Sequence, residues 1–209
     1  VYDVTTVISY NPTALKAAGL QPPTTWQDLT QPQWKGKFSV DPSSVNWYDA
    51  MITQLGHPQA LALIKALGAN SPKLVTSHTQ AITQVEAGEP IASATTYGYK
   101  AAKEAKKNPT EIAFTNTNPL PSSLTLIDVV KNAPHPDAAM LFVDWMVSQA
   151  GQKEVIDQTN HTSLRNDVDN PPAVWDPAKW TPVWGTPMLK ASAYNTEVME
   201  MNQAFGVTS

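Results

Sequence analysis

Apolar positions along the chain change period several times, and each change marks an element. Thr5 to Tyr10 is dense in β-branched and aromatic residues and predicts a buried strand. Asn11-Pro12 suits a helix cap followed by a first helical position, and Gly19 suits a left-handed stop. Thr25-Trp26-Gln27-Asp28 has capping-box spacing with Asp in the last place. Lys37 to Val40 predicts a short strand. Trp47, Ala50, Met51 and Leu55 fall on one helical face, and Gly56 ends that helix. A second helix is expected from Pro58 to Leu67. A third, capped by Ser77, carries Ala81, Ile82 and Val85 and closes at Gly88. Pro90 to Thr95 predicts a strand, Gly98 to Lys107 a helix, and Glu111 to Phe114 a strand.

After Phe114 the texture changes. The stretch TNTNPLPSS looks like a polar connector, and Leu124 to Val130 like a strongly apolar strand. His135-Pro136 opens a helix with Ala139, Phe142, Val143 and Met146 on one face, and Ser148 opens another through Ile156. Asn160 to Pro187 is rich in proline and carries Trp175, Trp180 and Trp184, which predicts a long loop held by aromatic anchors. Leu189 to Phe205 predicts a closing helix. Alternation of strands and helices gives an α/β class with a largely parallel sheet.

Composition narrows the function. The 209 residues are 42% hydrophobic and 15% charged with a net charge of −4, which fits a folded globular chain. The main basic cluster, Lys103 to Lys107, includes Glu104, so the basic face that nucleic-acid binding needs is missing. There is no cysteine, which excludes disulfides, thiolate metal sites and cysteine nucleophiles. No apolar run approaches the roughly 20 residues of a membrane helix. Val1-Tyr2-Asp3 opens almost directly on a strand, as expected of a fragment or a processed chain.

No Walker loop, dinucleotide fingerprint, nucleophile elbow or zinc-protease motif occurs. His57, His78, His135 and His161 lack metal-ligand spacing, and the two that precede prolines, His57 and His135, suit polar caps. Tyr99 and Lys103 form a Y-x-x-x-K pair that places phenol and ammonium on one helical face, as short-chain dehydrogenases do. Such an enzyme also needs a glycine-rich nucleotide loop. Asp41-Pro42-Ser43-Ser44-Val45 is a strand-to-helix junction, where free N–H groups and serine hydroxyls attract anions or where a serine simply caps the helix. Tyr97 sits at another such junction. Ligands of open α/β sheets gather beyond the carboxyl ends of strands, so both junctions are expected to face one crevice.

The ordered set of Tyr10-Asn11, Pro23 to Leu29, Trp34 to Lys37, Asp41-Pro42, LVTSHTQAITQVEAGEPIA, NAPHPDAAMLFVDWMVSQAGQKEVI and LRNDV resembles the extracellular solute-binding proteins of bacterial ABC importers. The likeness runs through nearly all of the chain and is nearest to the ferric-iron and anion-binding branch. It implies a type II periplasmic-binding-protein-like α/β sandwich, with one complete lobe and the C-terminal part of the other. Residues 1–7 would hold the first hinge strand, 8–113 the complete lobe, and 114–209 the second hinge strand and the rest. Thr5 to Tyr10 would make the first hinge crossing and Ile112 to Thr117 the return. The resemblance also implies an upstream segment of the same protein, whose absence would leave apolar sheet surface exposed and favour association.

Ferric-binding members carry two adjacent tyrosines where this chain has Thr96-Tyr97. That departure favours an oxyanion-bearing organic solute, or an iron chelate with its own donors, over bare ferric iron. Ser43, Ser44 and the Val45 N–H match the anion-holding loop of the resemblance. Trp47 could wall the crevice or serve the core, and Tyr97 would donate from a neutral phenol. The reading requires no cofactor and no metal held by the protein. It implies a periplasmic or cell-surface location, a membrane permease as partner, and no catalysis. A sensory module of the same fold is the neighbouring alternative.

Overall fold

The computed structural model describes residues 1–176, 178–186 and 190–207. Strand β1 (Tyr2–Tyr10) organises it. Its first half, Tyr2 to Thr5, pairs antiparallel with β6 (Leu120–Thr125), and Tyr2 and Asp3 also pair with β7 (Thr162–Ser163). Its second half pairs antiparallel with β4 (Ala92–Tyr97) and β5 (Ala113–Thr115). One nine-residue strand therefore takes part in four ladders, two on each half, with an irregularity between Val7 and Ser9. Beyond β4, the strands β2 (Phe38–Val40) and β3 (Lys73–Leu74) add in parallel, and β8 (Pro182–Trp184) adds in parallel to β6. The order is β3-β2-β4-β1-β6-β8. The sheet is mixed rather than largely parallel, because every partner of β1 runs against it.

Helices follow the sequence pattern closely. In α1 (Pro12–Ala17) Asn11 accepts from the Ala14 N–H at 2.8 Å, and Gly19 adopts φ +66°. Asp28 accepts from the Thr25 N–H at 2.9 Å while Thr25 Oγ1 accepts from the Asp28 N–H at 3.3 Å, a reciprocal box that closes only a short 3-10 turn. α2 (Val45–Leu55), α3 (His57–Ala69) and α8 (Ala191–Phe205) pack together. Trp34, Phe38, Trp47, Tyr48, Met51, Ile64, Leu67, Met201 and Phe205 share the main core. Each fully buried large side chain of this kind contributes about 1.5–3 kcal/mol of transfer free energy. A Cβ at Gly68 would collide with the Ala204 carbonyl, so glycine is what lets α3 and α8 touch.

Several expectations are corrected. The strand expected over Leu124 to Val130 lies earlier, at Leu120–Thr125. Leu120, Pro121 and Ser122 are buried there against β1 and β8, whereas Leu126 and Val130 are 77% and 73% exposed. The supposed connector thus supplies most of a strand. The loop after Asn160 contributes β7 and β8, and Trp175 and Trp180 pack on Val7, Ala101 and Leu120. The closing helix, expected with residues 114–209, packs in the core of residues 8–113 through Met201 and Phe205. Pro187 and Leu189, where two expected segments meet, lie outside the described residues. Neither proline-preceding histidine caps a helix: His57 Nε2 lies 2.9 Å from Glu200, and His135 makes no cap hydrogen bond. In α6 (Pro136–Val147) Ala139, Val143 and Met146 are half-buried, but Phe142 points outward at 53% exposure.

Candidate functional site

Three helices begin at one place. α2 starts after Ser44, α4 (His78–Glu86) after Ser77, and α5 (Gly98–Lys107) after Tyr97. Each follows a chain segment emerging from the same edge of β2, β3 and β4. Their first turns line a single cavity of about 320 Å³, whose lining also includes Thr6 of β1 and Ser123 of β6. α5 reaches this position because residue 98 is glycine, where a Cβ would collide with the Thr5 hydroxyl. A helix start carries a partial positive charge of roughly half an electron and N–H groups without intrahelical partners, although at α4 the Ser77 hydroxyl already accepts from the Thr79 and Gln80 N–H groups. An anion there gains about 0.3–1 kcal/mol per exposed end and up to about 2 kcal/mol when partly buried.

The donors can be named. Ser44 Oγ and Trp47 Nε1 are buried without a partner among the described residues, and both residues line the cavity. Ser44 makes no side-chain cap, so its hydroxyl is uncommitted. Ser43 is committed: its N–H and hydroxyl donate to Asp41 Oδ1 at 2.9 and 2.6 Å. Tyr97 is half-buried, and burial, with Tyr99 and Asp41 nearby, pushes its phenol above the ordinary range. Burial does the same to Tyr99, helped by Tyr2. Both phenols therefore stay neutral and able to donate near pH 7.

The rings form a row. His78 lies 3.8 Å from Tyr97, Tyr97 5.9 Å from Tyr99, Tyr99 3.8 Å from His161, and His161 4.2 Å from Tyr2, centroid to centroid. His78 Nδ1 is 2.9 Å from the Thr95 carbonyl, which can only accept, so Nδ1 carries the proton and Nε2 faces Asp41 Oδ2 at 3.9 Å. Burial lowers His161 to about 4, which leaves its imidazole neutral.

Of the sequence-predicted residues, Ser43, Ser44, Trp47 and Tyr97 meet at this cavity. Thr96 and Val45 do not. Side chains alternate along a strand, so Thr96 faces away from Tyr97, is fully buried, and has its hydroxyl 2.8 Å from Ser9 Oγ. The Val45 N–H is spent on the Ser43 carbonyl at 2.8 Å, and its side chain lines a different depression beside Tyr194 and Val198. Asn46 supplies the first-turn N–H instead, having no backbone acceptor among the described residues. Trp47 is 2% exposed in the core and also lines the cavity.

Asp41, His78, Tyr99 and Lys100 also line the cavity and were not singled out as ligand contacts. The usable signal is that all follow a strand end and belong to, or immediately precede, a helix first turn. The dehydrogenase-like alternative gains no support. It needs Lys103 to lower the Tyr99 phenol, but the phenol is raised and Lys103 is exposed.

Comparison with known proteins agrees with the fold. Residues 1–153 match the model of the family described as bacterial extracellular solute-binding protein. Over 152 residues the chain is 26% identical to the phosphoglycerate transport regulatory protein PgtC of Salmonella typhimurium, a match covering 70% of this chain and 38% of that one. Over 158 residues it is 27% identical to an Fe(3+)-binding periplasmic protein of Serratia marcescens, covering 71% and 46%. The chain spans less than half the length of these curated relatives. Among solved structures, iron-bound HitA from Pseudomonas aeruginosa superposes with a TM-score of 0.74 at 22% identity, over 99% of this chain and 68% of that one. AfuA from Actinobacillus pleuropneumoniae, with exogenous fructose-6-phosphate bound, gives 0.73 at 20% identity, over 99% and 65%. At these identities the structures establish a shared fold.

Proposed function

The chain belongs to the bacterial extracellular solute-binding proteins, and we propose that it captures a small oxyanion-bearing solute for an ABC importer. The observation that carries this reading is the convergence of three helix starts on one cavity that also holds the unpartnered Ser44 hydroxyl. Tyr97 and Tyr99, whose phenols burial keeps neutral, can each donate to an oxyanion bound there. An iron chelate presenting its own oxyanions would meet the same donors.

Residues 8–113 act as one lobe, and residues 1–7 with 114–209 carry the hinge strands and the opposing side, apart from the last helix. Support comes from β1, whose two halves pair with different sets of strands, and from Thr6 and Ser123, which line the cavity together with the helix starts. A ligand touching both sides would stabilise a closed form, which then docks on a membrane permease outside the cytoplasm. The likeness to a protein named as a transport regulator supports a second reading, a sensory module of the same fold. A neighbouring permease and ATPase, as against a kinase, separates the two.

Calorimetric titration of the protein with glycerol 3-phosphate and with glycerol tests the reading. Binding of the phosphate alone is expected, and Tyr97→Phe should weaken it several-fold through loss of a donor to a buried oxyanion. Equal response to both solutes, or unchanged affinity in the variant together with tight binding of ferric ion, would overturn it.

A further inference from the structure

Asp41 is out of place in a cavity built for an anion. It is 2% exposed and lines the cavity beside the three helix starts. Its Oδ1 is satisfied by the Ser43 N–H and hydroxyl. Its Oδ2 accepts no hydrogen bond among the described residues, and the imidazole Nε2 of His78 stands off at 3.9 Å. The ammonium of Lys100, which also lines the cavity, leans towards Glu104 at 3.8 Å. A carboxylate this buried would ordinarily be paired. A turn closed through one oxygen does not need the second, and asparagine would close it equally well.

Resting on the oxyanion reading above, the geometry points to a zwitterionic ligand: an aminoalkyl phosphate or phosphonate whose ammonium sits on Asp41 Oδ2 while its oxyanion meets the helix starts. An anion without a positive end would place two negative charges in one small cavity, where solvent screens them poorly. A ligand ammonium removes that repulsion and gives the idle oxygen three possible donors. Asp41 thus acts as a specificity residue that separates zwitterions from simple anions.

The test is calorimetric titration with phosphoethanolamine and with ethyl phosphate, which differ only in the ammonium. The protein should bind phosphoethanolamine at least about tenfold more tightly, and Asp41→Asn should erase that preference by weakening phosphoethanolamine and strengthening ethyl phosphate, which no longer meets a second negative charge. Equal affinity for the two in the unaltered protein would overturn the zwitterion and leave the oxyanion reading standing. A preference that survives Asp41→Asn would overturn the role of Asp41. If neither phosphate binds, the oxyanion reading fails and this inference with it. The comparison in the unaltered protein needs no substitution, so a poorly folding variant does not blunt the test.

Discussion

At the scale of single residues, the strand end Thr95-Thr96-Tyr97 shows how one-residue alternation assigns roles. Thr95 Oγ1 accepts from the Asp41 N–H at 2.9 Å and so supports the loop before α2. Thr96 turns the other way and bonds Ser9, while Tyr97 reaches the cavity. Thr96→Val should therefore leave ligand affinity unchanged and cost about 1–3 kcal/mol of stability, because the buried Ser9 hydroxyl loses its partner. For a chain of this size that is about 2–4 °C of melting temperature per kcal/mol. A calorimetric titration showing weaker binding with an unchanged melting temperature would return Thr96 to the site. The sequence predicts this strand only as far as Thr95, and only its extension to Tyr97 brings Thr96 under the alternation. The placing of His78 was not legible either, because nothing in Ser77-His78 reveals that its helix starts beside Asp41 and Tyr97. Local residue chemistry marks a junction, but only the fold reveals which junctions share a cavity.

Among elements, α2 and α8 carry an unusual burden. Glu197 of α8 is 7% exposed with Oε2 unpartnered, and burial, then Asp49 and Glu200, raise its carboxyl to about 7, against a smaller opposing effect of His57. Glu200 instead accepts from Tyr48 at 2.6 Å and lies beside His57. Folding therefore favours protonated Glu197. Its contribution to stability is complete below its unfolded value of 4.5 and is lost as pH rises through about 7. Glu197→Gln should match the unaltered protein near pH 4.5 and melt higher at pH 8, with the gap opening between these values. Differential scanning calorimetry across that range checks it, and a constant gap would remove Glu197 as the cause. Because the comparison is between two proteins, Asp3, which titrates near 6 from burial, cancels. The helices themselves were legible, since caps at Asn11, Ser77 and Ser148 and stops at Gly19, Gly56 and Gly88 are local signals. Where α8 packs was not legible, because its contacts with α2 and α3 span more than a hundred residues.

For the molecule as a whole, sheet order escaped the sequence for the same reason. Register between Val7 and Thr96, or between Thr5 and Ser122, is a relation across the chain, and hydrophobic runs alone do not state direction. The strand-to-helix punctuation before Thr115 was clear, whereas Leu120–Thr125 hid behind its prolines and serines because that strand is held by its ladders on both sides. The same region carries most of the large exposed apolar side chains. Leu126 and Val130 are followed by Leu141 at 71%, Phe142 at 53% and Trp145 at 43% exposure on α6, and no residue of that helix is buried. Soluble proteins rarely leave so much apolar surface to water, and burying it against another surface is favourable at about 25 cal/mol per Å². The chain should therefore associate as its concentration rises, and Leu141→Glu with Phe142→Lys should suppress this. Neither residue lines the cavity, so solute affinity should stay unchanged in the double variant. Sedimentation velocity over a concentration series distinguishes the outcomes. A chain that stays monomeric throughout would mean that this surface, despite its exposure, is not adhesive. Association that persists in the double variant would move the adhesive surface away from α6.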